Sequence, residues 1–337
     1  MKKILTSAFV CAILLLSCKK EAEQEAEKEA EKGVDTAFAK AETAVETTNT
    51  NTDFQFSLAQ WSLHEPFQKG DMDPMDFAAI AKDLGFTGLE YVTQLYPQLN
   101  GKENSKEAIM ELAAALLEKS MAAGMDNVLI MVDHAGELAD PDAQKRKAAI
   151  ETHKYWMDAA KLMGAHSVRA NLFGESDPEK WHTYSVYSLS ELGAYGKMIG
   201  INVIIENHGG WSSDGQKLGA VMKEVNLSAV GTLPDFGNFC VQREGGERWG
   251  APCVLEYDMY KGTEEMMPYA KGVSAKSYAF DKEGNETKID YARMLQIVAD
   301  AGYKGYIGVE YEGDLDDAKD GIKLTKALLE KSIKTIR

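Results

Sequence analysis

Four short stretches of the chain carry charged or polar side chains at the ends of apolar runs. They are Glu206-Asn207-His208 after Ile204-Ile205, Asp235-Phe236-Gly237-Asn238 after Leu233-Pro234, Ser274-Ala275-Lys276-Ser277, and Glu310-Tyr311-Glu312 after Val309. If each run is a β-strand, an acid at its end must be satisfied by water, a cation or a ligand, because an unpaired charge is costly in apolar surroundings. Alternation along a strand puts Glu206 and His208 on one face. Glu206, Asp235 and His208 on neighbouring strands, joined by Glu310, would form a pocket for a hard or borderline divalent cation such as manganese, zinc, cobalt or magnesium. The same groups suit proton abstraction beside a carbonyl. Glu206 and Glu310 would act as base and acid from opposite faces of a substrate, while a metal or Lys276 polarises the oxygen.

Such residues need a scaffold that gathers strand ends. From Phe54 onward, short apolar runs alternate with amphipathic helical patterns, the mark of βα units around a parallel sheet. Strands are expected at 54–60, 86–92, 127–132, 166–172, 201–207, 229–235, 271–277 and 305–311. Helices are expected near 74–84, 104–123, 140–163, 179–199, 213–225, 259–267, 290–301 and 315–335. No G-x-G-x-x-G follows the first strand, where Gln60-Trp61-Ser62-Leu63-His64 stands instead. Eight units without a phosphate-binding turn favour a closed (β/α)8 TIM barrel, whose functional groups lie at the C-terminal ends of the strands, over an open doubly wound sheet. The long loop from Asn238 to Asp258 is placed to fold over that end as a lid.

Other residues near the strand ends have two readings each. Trp61, Trp211 and Trp249 could stack on a sugar ring or pack a loop. Arg169, on the fourth strand, could hold a substrate oxygen or pair with Glu206, and Glu90 on the second strand is equally open. His64 and His134 could bind substrate hydroxyls, as Asn238 could, whereas His153, His166 and His182 read as structural.

The N-terminus reads as an address. Met1-Lys2-Lys3 and the apolar run Ile4 to Leu16 have the layout of a secretory signal, and Leu15-Leu16-Ser17-Cys18 resembles a bacterial lipobox. Residues 1–17 would then be removed and Cys18 lipidated, with 18–52, rich in Glu, Lys and Ala, as a flexible tether and 53–337 as the barrel. The expected location is an exported, membrane-anchored lipoprotein of the outer membrane, periplasmic or surface-facing, touching the membrane through its lipid alone. Cys240 and Cys253 share one loop and could pair in an exported protein or remain thiols. The formal charge of −16 repels phosphate backbones, so nucleic acid is not an expected partner.

Glu206-Asn207-His208, Asp235-Phe236-Gly237-Asn238 and Glu310-Tyr311-Glu312 together resemble the sugar phosphate isomerase/epimerase group of xylose isomerase-like barrels, over roughly residues 54–335. That group includes ketose 3-epimerases and inosose dehydratases. The resemblance implies a divalent metal held by Glu206, Asp235 and Glu310, a carbohydrate substrate, and isomerisation or epimerisation through an enolate. The chain departs from the pattern at Ser274, where the group has a histidine ligand; His208 could supply the missing nitrogen, or Lys276 could partly replace the cation. Two alternatives remain: a lyase that eliminates the aglycone of a 3-keto-glycoside, and a non-catalytic sugar-binding lipoprotein.

Overall fold

A computed structural model describes residues 54–336. The signal peptide, Cys18 and the tether expected over 1–52 lie outside the described residues. The strands in chain order are β1 (Gln55–Ala59), β2 (Gly88–Val92), β3 (Asp126–Met131), β4 (Ser167–Ala170), β5 (Asn202–Glu206), β6 (Val230–Leu233), β7 (Cys240–Arg243), β8 (Cys253–Glu256), β9 (Val273–Ser277) and β10 (Tyr306–Tyr311). Eight of them form one parallel sheet in the order β6-β5-β4-β3-β2-β1-β10-β9. Hydrogen bonds from Lys271 N to Thr232 O (3.0 Å), Ser274 N to Pro234 O (2.9 Å) and Phe236 N to Ser274 O (3.0 Å) close the ring between β6 and β9. This seam sets Asp235 beside Ser274, so barrel closure itself assembles part of the acidic cluster.

The helices are α1 (His64–Lys69), α2 (Phe77–Asp83), α3 (Lys106–Ala123), α4 (Ala143–Met163), α5 (Pro178–Ile199), α6 (Gly215–Val225), α7 (Met259–Met266), α8 (Tyr291–Asp300) and α9 (Ala318–Ile333). Local chemistry sets their ends. Asp142 accepts from Gln144 N and Lys145 N at the start of α4, and Gly164, with φ of 74°, turns the chain out of it in the left-handed conformation. Strands β2 and β4 are buried along their whole length, as expected for strands between a filled barrel and a helical jacket. Outside them, Phe77 meets Tyr91 edge-on at 5.6 Å, and the buried Trp181 donates to Leu172 O at 2.7 Å.

The expected elements recur with shorter bounds. The helix expected near 74–84 begins with a separate tight turn, Pro74–Asp76, capped by Asp73, whose side chain accepts from Met75 N at 2.9 Å. The expected 238–258 loop contains an antiparallel hairpin of β7 and β8. Cys240 and Cys253 are bonded across it, with Cα atoms 5.8 Å apart. Among the described residues no helix is long and apolar enough to cross a membrane.

Candidate active site

TIM-barrel interiors are ordinarily filled by layers of branched apolar side chains. Toward the C-terminal end this one is polar. Ser57, Glu90, Arg169, Glu206, Asp235, Ser274, Lys276 and Glu310 are all buried. Glu206 closes β5, Asp235 follows β6, and Lys276 and Glu310 are register partners on β9 and β10. One carboxylate oxygen from each of Glu206, Asp235 and Glu310 lies within 4.8 Å of the other two. The Asn207 side chain braces this floor, accepting from Asp235 N at 2.7 Å and donating to Asp235 O at 2.9 Å. Asp235 Oδ1 takes the N–H groups of Gly237 (2.8 Å) and Asn238 (2.9 Å). A Cβ on Gly237 would stand 2.5 Å from the Tyr278 hydroxyl, so glycine lets the loop lie this close over the floor.

The ionic contacts run in two groups. Lys276 Nζ lies 2.9 Å from Glu310, 3.3 Å from Glu312 and 4.0 Å from Asp235. Arg169 lies 2.8 Å from Asp133 and 2.9 Å from Glu206. The second contact is close but not aligned as a hydrogen bond, and it leaves Arg169 Nε and Glu206 Oε2 as buried polar atoms without a hydrogen-bond partner. Burial pushes Glu206 well above the ordinary carboxylate range against the pull of Arg169. Burial likewise lifts Asp235 to about 6, with Lys276 opposing. Burial would raise Glu310 too, but the adjacent Lys276 ammonium outweighs it and holds that carboxyl below its usual value. Lys276 stays protonated because Glu310, Glu312 and Asp235 overcome its own burial. Environment therefore separates Glu206 from Glu310, the condition under which paired carboxylates divide acid and base roles.

A cavity of about 760 Å³ opens onto this floor. Glu310, Arg169, Asp133, Asn171, His208 and Asn238 line its buried end; Trp61, His134, Phe173, Arg243, Arg248 and Trp249 line the rest. Asn171 Nδ2 donates to Asp133 Oδ1 at 2.7 Å, which leaves its Oδ1 to accept from His208 Nδ1–H at 2.9 Å. Burial first, then Arg169, depress the imidazole to about 3. His208 is therefore neutral, with Nε2 as an acceptor. Above it, Trp249 of the hairpin tilts against His208 with ring centroids 4.9 Å apart.

A family model described as the xylose isomerase-like TIM barrel matches residues 78–328. The chain belongs to that family. Among solved structures, a 3-keto-D-glucoside 4-epimerase from E. coli is similar at 12% identity and a TM-score of 0.58, over 83% of this chain and 99% of that one. An L-ribulose 3-epimerase is similar at 13% identity and a TM-score of 0.61, over 84% and 95% of the two chains. The IOLI protein with a bound zinc atom is similar at 13% identity and a TM-score of 0.61, over 84% and 99%. Such identities speak for the fold. Among curated proteins, the 3'-dehydrocarminate deglycosidase alpha subunit of a Microbacterium species is 40% identical over 48 residues, only 14% of this chain and 14% of that protein.

Within the xylose isomerase-like family, a divalent ion fits the residues on this floor. Asp133, Glu206, Asp235 and Glu310 against Arg169 and Lys276 leave a formal excess of two buried negative charges. Glu206 Oε2 has the Arg169 contact but no aligned hydrogen bond, so it keeps acceptor capacity for a cation or proton. Ser274 carries one hydroxyl proton between Asp235 Oδ2 at 2.6 Å and Glu310 Oε2 at 3.0 Å, so it cannot give both a full hydrogen bond. The grouped donors are all oxygen, a set suited to magnesium or manganese more than to zinc.

Most of the expected site residues converge: Glu206, Asp235, Glu310 and Lys276 in the floor, and Trp61, His134, Arg169, His208 and Asn238 around the cavity. Three are placed differently from the roles expected, and Trp211 takes the loop-packing one of its two readings. Lys276 is buried beneath the cavity, where it sets the charge of Glu310 and does not reach toward a substrate oxygen. His208 is outside the grouped metal donors, its ring held by Asn171. His64 begins α1, stacks on Trp61 at 4.3 Å and lines a separate groove with Tyr311 and Glu312. Trp211 packs its loop, donating to Ser176 O at 2.8 Å. Asp133 and Asn171 line the cavity without having been among the expected site residues. The run Leu129-Ile130-Met131-Val132 ends in an acid as the other strands do, and that signal was available.

Proposed function

We propose that this barrel is a divalent-metal-dependent isomerase or epimerase of a sugar or keto-sugar, working by proton abstraction beside a carbonyl. The observation that carries the reading is the trio Glu206, Asp235 and Glu310, gathered within 4.8 Å beneath a cavity that Glu310 and Arg169 line. Its structural neighbours, sugar epimerases among them, support the reaction class. The ion, held by the trio, would supply Lewis-acid stabilisation of oxyanion charge.

The protein's own groups do the rest. Glu310, kept ionised by Lys276, takes the proton from the carbon next to the carbonyl. Arg169, a cavity-lining cation held between Asp133 and Glu206, adds positive charge beside the oxygen on which negative charge develops. Glu206, hydrogen-bonded to Asn238 Nδ2 at 3.0 Å, is the acid: burial raises its carboxyl, so it takes up a proton more readily than Glu310 and passes it to the enolate. Return of a proton to the opposite face gives the epimer.

A second reading shares these first steps. If a β-substituent leaves the same enolate, the outcome is elimination of the aglycone from a 3-keto-glycoside. The short match to a deglycosidase subunit favours it. So does the export proposed for Cys18, since glycosides are met outside the cytoplasm.

The test is metal content of the purified protein beside Glu206→Ala and Asp235→Ala, followed by proton exchange into D2O on keto-sugars and 3-keto-glycosides. The reading expects near-stoichiometric metal, lost in both variants, and exchange at the carbon next to the carbonyl. No metal after soaking with manganese, together with no exchange, would sink it.

A further inference from the structure

The cavity has two chemically different ends. The buried end, from Glu310 to His208, is polar and suited to the hydroxyls of one sugar ring. The rest is built from ring faces and guanidinium groups, largely brought by the β7–β8 hairpin. Trp249, 45% exposed, meets Phe173 edge-on with centroids 6.0 Å apart. Gly209 lies beneath it, where a Cβ would be in ordinary contact with the indole at 3.4 Å. Arg248 lies over the Phe173 ring at 4.3 Å and pairs with Glu137 across the mouth. Arg243 also lines the cavity. Its NH1 donates to Ala251 O at 2.8 Å, and among the described residues no carboxylate lies in ion-pair range of it. Cys240–Cys253 ties the two strands that carry this group.

A volume of about 760 Å³ exceeds what one hexose needs and falls in the range of roughly 300–1,000 Å³ typical of sites for drug-sized ligands. The second occupant must suit aromatic faces and guanidinium donors. A second sugar ring would ask for acceptors, and Glu137 is already committed to Arg248. A planar π-system suits both the rings and the guanidinium planes.

We propose that the juxtaposition of Phe173, Trp249, Arg243 and Arg248 forms an aglycone subsite, which makes the substrate an aryl glycoside whose aromatic aglycone lies against the hairpin. This deepens the sugar-site reading above and rests on it. An acidic substituent on the ring would meet the unpaired Arg243.

Binding without turnover tests it. Methyl β-D-glucoside, cellobiose, phenyl β-D-glucoside and 4-carboxyphenyl β-D-glucoside are titrated by calorimetry into the full chain, with Trp249→Ala, Trp249→Phe and Arg243→Gln alongside. Phenyl glucoside should bind about tenfold tighter than methyl glucoside or cellobiose, equivalent to about 1.4 kcal/mol. Trp249→Ala should bring that ratio near one, and Trp249→Phe should retain most of it. Arg243→Gln should remove the added preference for the carboxylated ring alone. Equal binding of all four sugars, tightest binding of cellobiose, or no binding of phenyl glucoside overturns the aglycone subsite. Because only ratios between ligands are read, binding can succeed where metal loading and exchange fail, which separates this test from that of the reaction.

Discussion

Glu90 is the buried acid that the proposed chemistry does not use, and its replacement by Gln isolates one electrostatic cost. The carboxyl lies inside the barrel, accepting from Ser57 Oγ at 2.5 Å through Oε1, while Oε2 is buried with no hydrogen-bond partner. Burial pushes it to about 8 from the usual 4.5; the Ser57 hydrogen bond opposes this and nearby Glu310 adds to it. In acid, both the folded and unfolded chains carry the proton. Above pH 4.5 the unfolded chain ionises while the folded one keeps its proton, so this group's contribution to stability falls as pH rises until about 8, and then levels off. At about 1.4 kcal/mol per pH unit, the loss between pH 5 and pH 8 is on the order of 3–4 kcal/mol. Glu90→Gln keeps the shape and stays neutral. Urea unfolding of both proteins should therefore show the variant gaining on the wild type by that amount between pH 5 and pH 8. A difference that stays constant across this interval would mean Glu90 is ionised in the folded protein, and would refute the reasoning.

Three further perturbations follow from the same interior. Gly308→Ala places a methyl 2.5 Å from the Glu90 carboxylate; overpacking of this kind costs about 1–3 kcal/mol, read by denaturant midpoint, and Glu90→Ser in the same chain should recover most of it. Arg169→Met leaves the buried Asp133 and Glu206 without their cation; breaking a buried pair costs roughly 3–5 kcal/mol, seen as a large fall in melting temperature, and an unchanged melt would show the pair to be dispensable. Reduction of Cys240–Cys253 should speed proteolysis within 244–251 while barely moving the barrel's melting temperature, because β8 is exposed along its length and carries no core side chain.

What the sequence could show was set by periodicity and by strand ends. Eight apolar runs separated by helical patterns led to a closed barrel, and the acids at strand ends pointed to Glu206, Asp235 and Glu310, which the structure buries together. The Arg169–Glu206 contact was one of two expected outcomes, and the structure pairs Arg169 with Asp133 as well. Side-chain competition was not legible. Whether His208 reaches a metal depends on Asn171, whose amide is itself oriented by Asp133, a chain of three residues on three loops. Whether Lys276 faces substrate or floor depends on the β9–β10 register, which pairs it with Glu310. Trp211 and His64 follow strand ends as Trp61 does, yet local turns aim them elsewhere, and no periodicity encodes such turns.

The charge balance of the floor makes one more demand. Two buried negative charges beyond what Arg169 and Lys276 offset must be neutralised by protons or by a divalent ion, and the two compete for the same oxygens. Burial raises Glu206 well above its ordinary range, favouring its proton when no ion is bound, and Asp235, lifted to about 6, holds a proton below that pH. Glu310, held low by Lys276, offers no proton to displace. Metal binding must then release protons from Glu206 and Asp235, and affinity should rise as pH increases through 6 and beyond, because each proton that must leave weakens binding below its pKa. Calorimetric titration of manganese at pH 5.5, 6.5 and 7.5, in buffers of different ionisation enthalpy, reads affinity and proton release together. Asp235→Asn should bind more weakly and release fewer protons. Affinity independent of pH, with no proton released, would mean that Lys276 and Arg169 already keep these carboxyls ionised, and affinity unchanged in Asp235→Asn would mean that Asp235 is not a metal ligand.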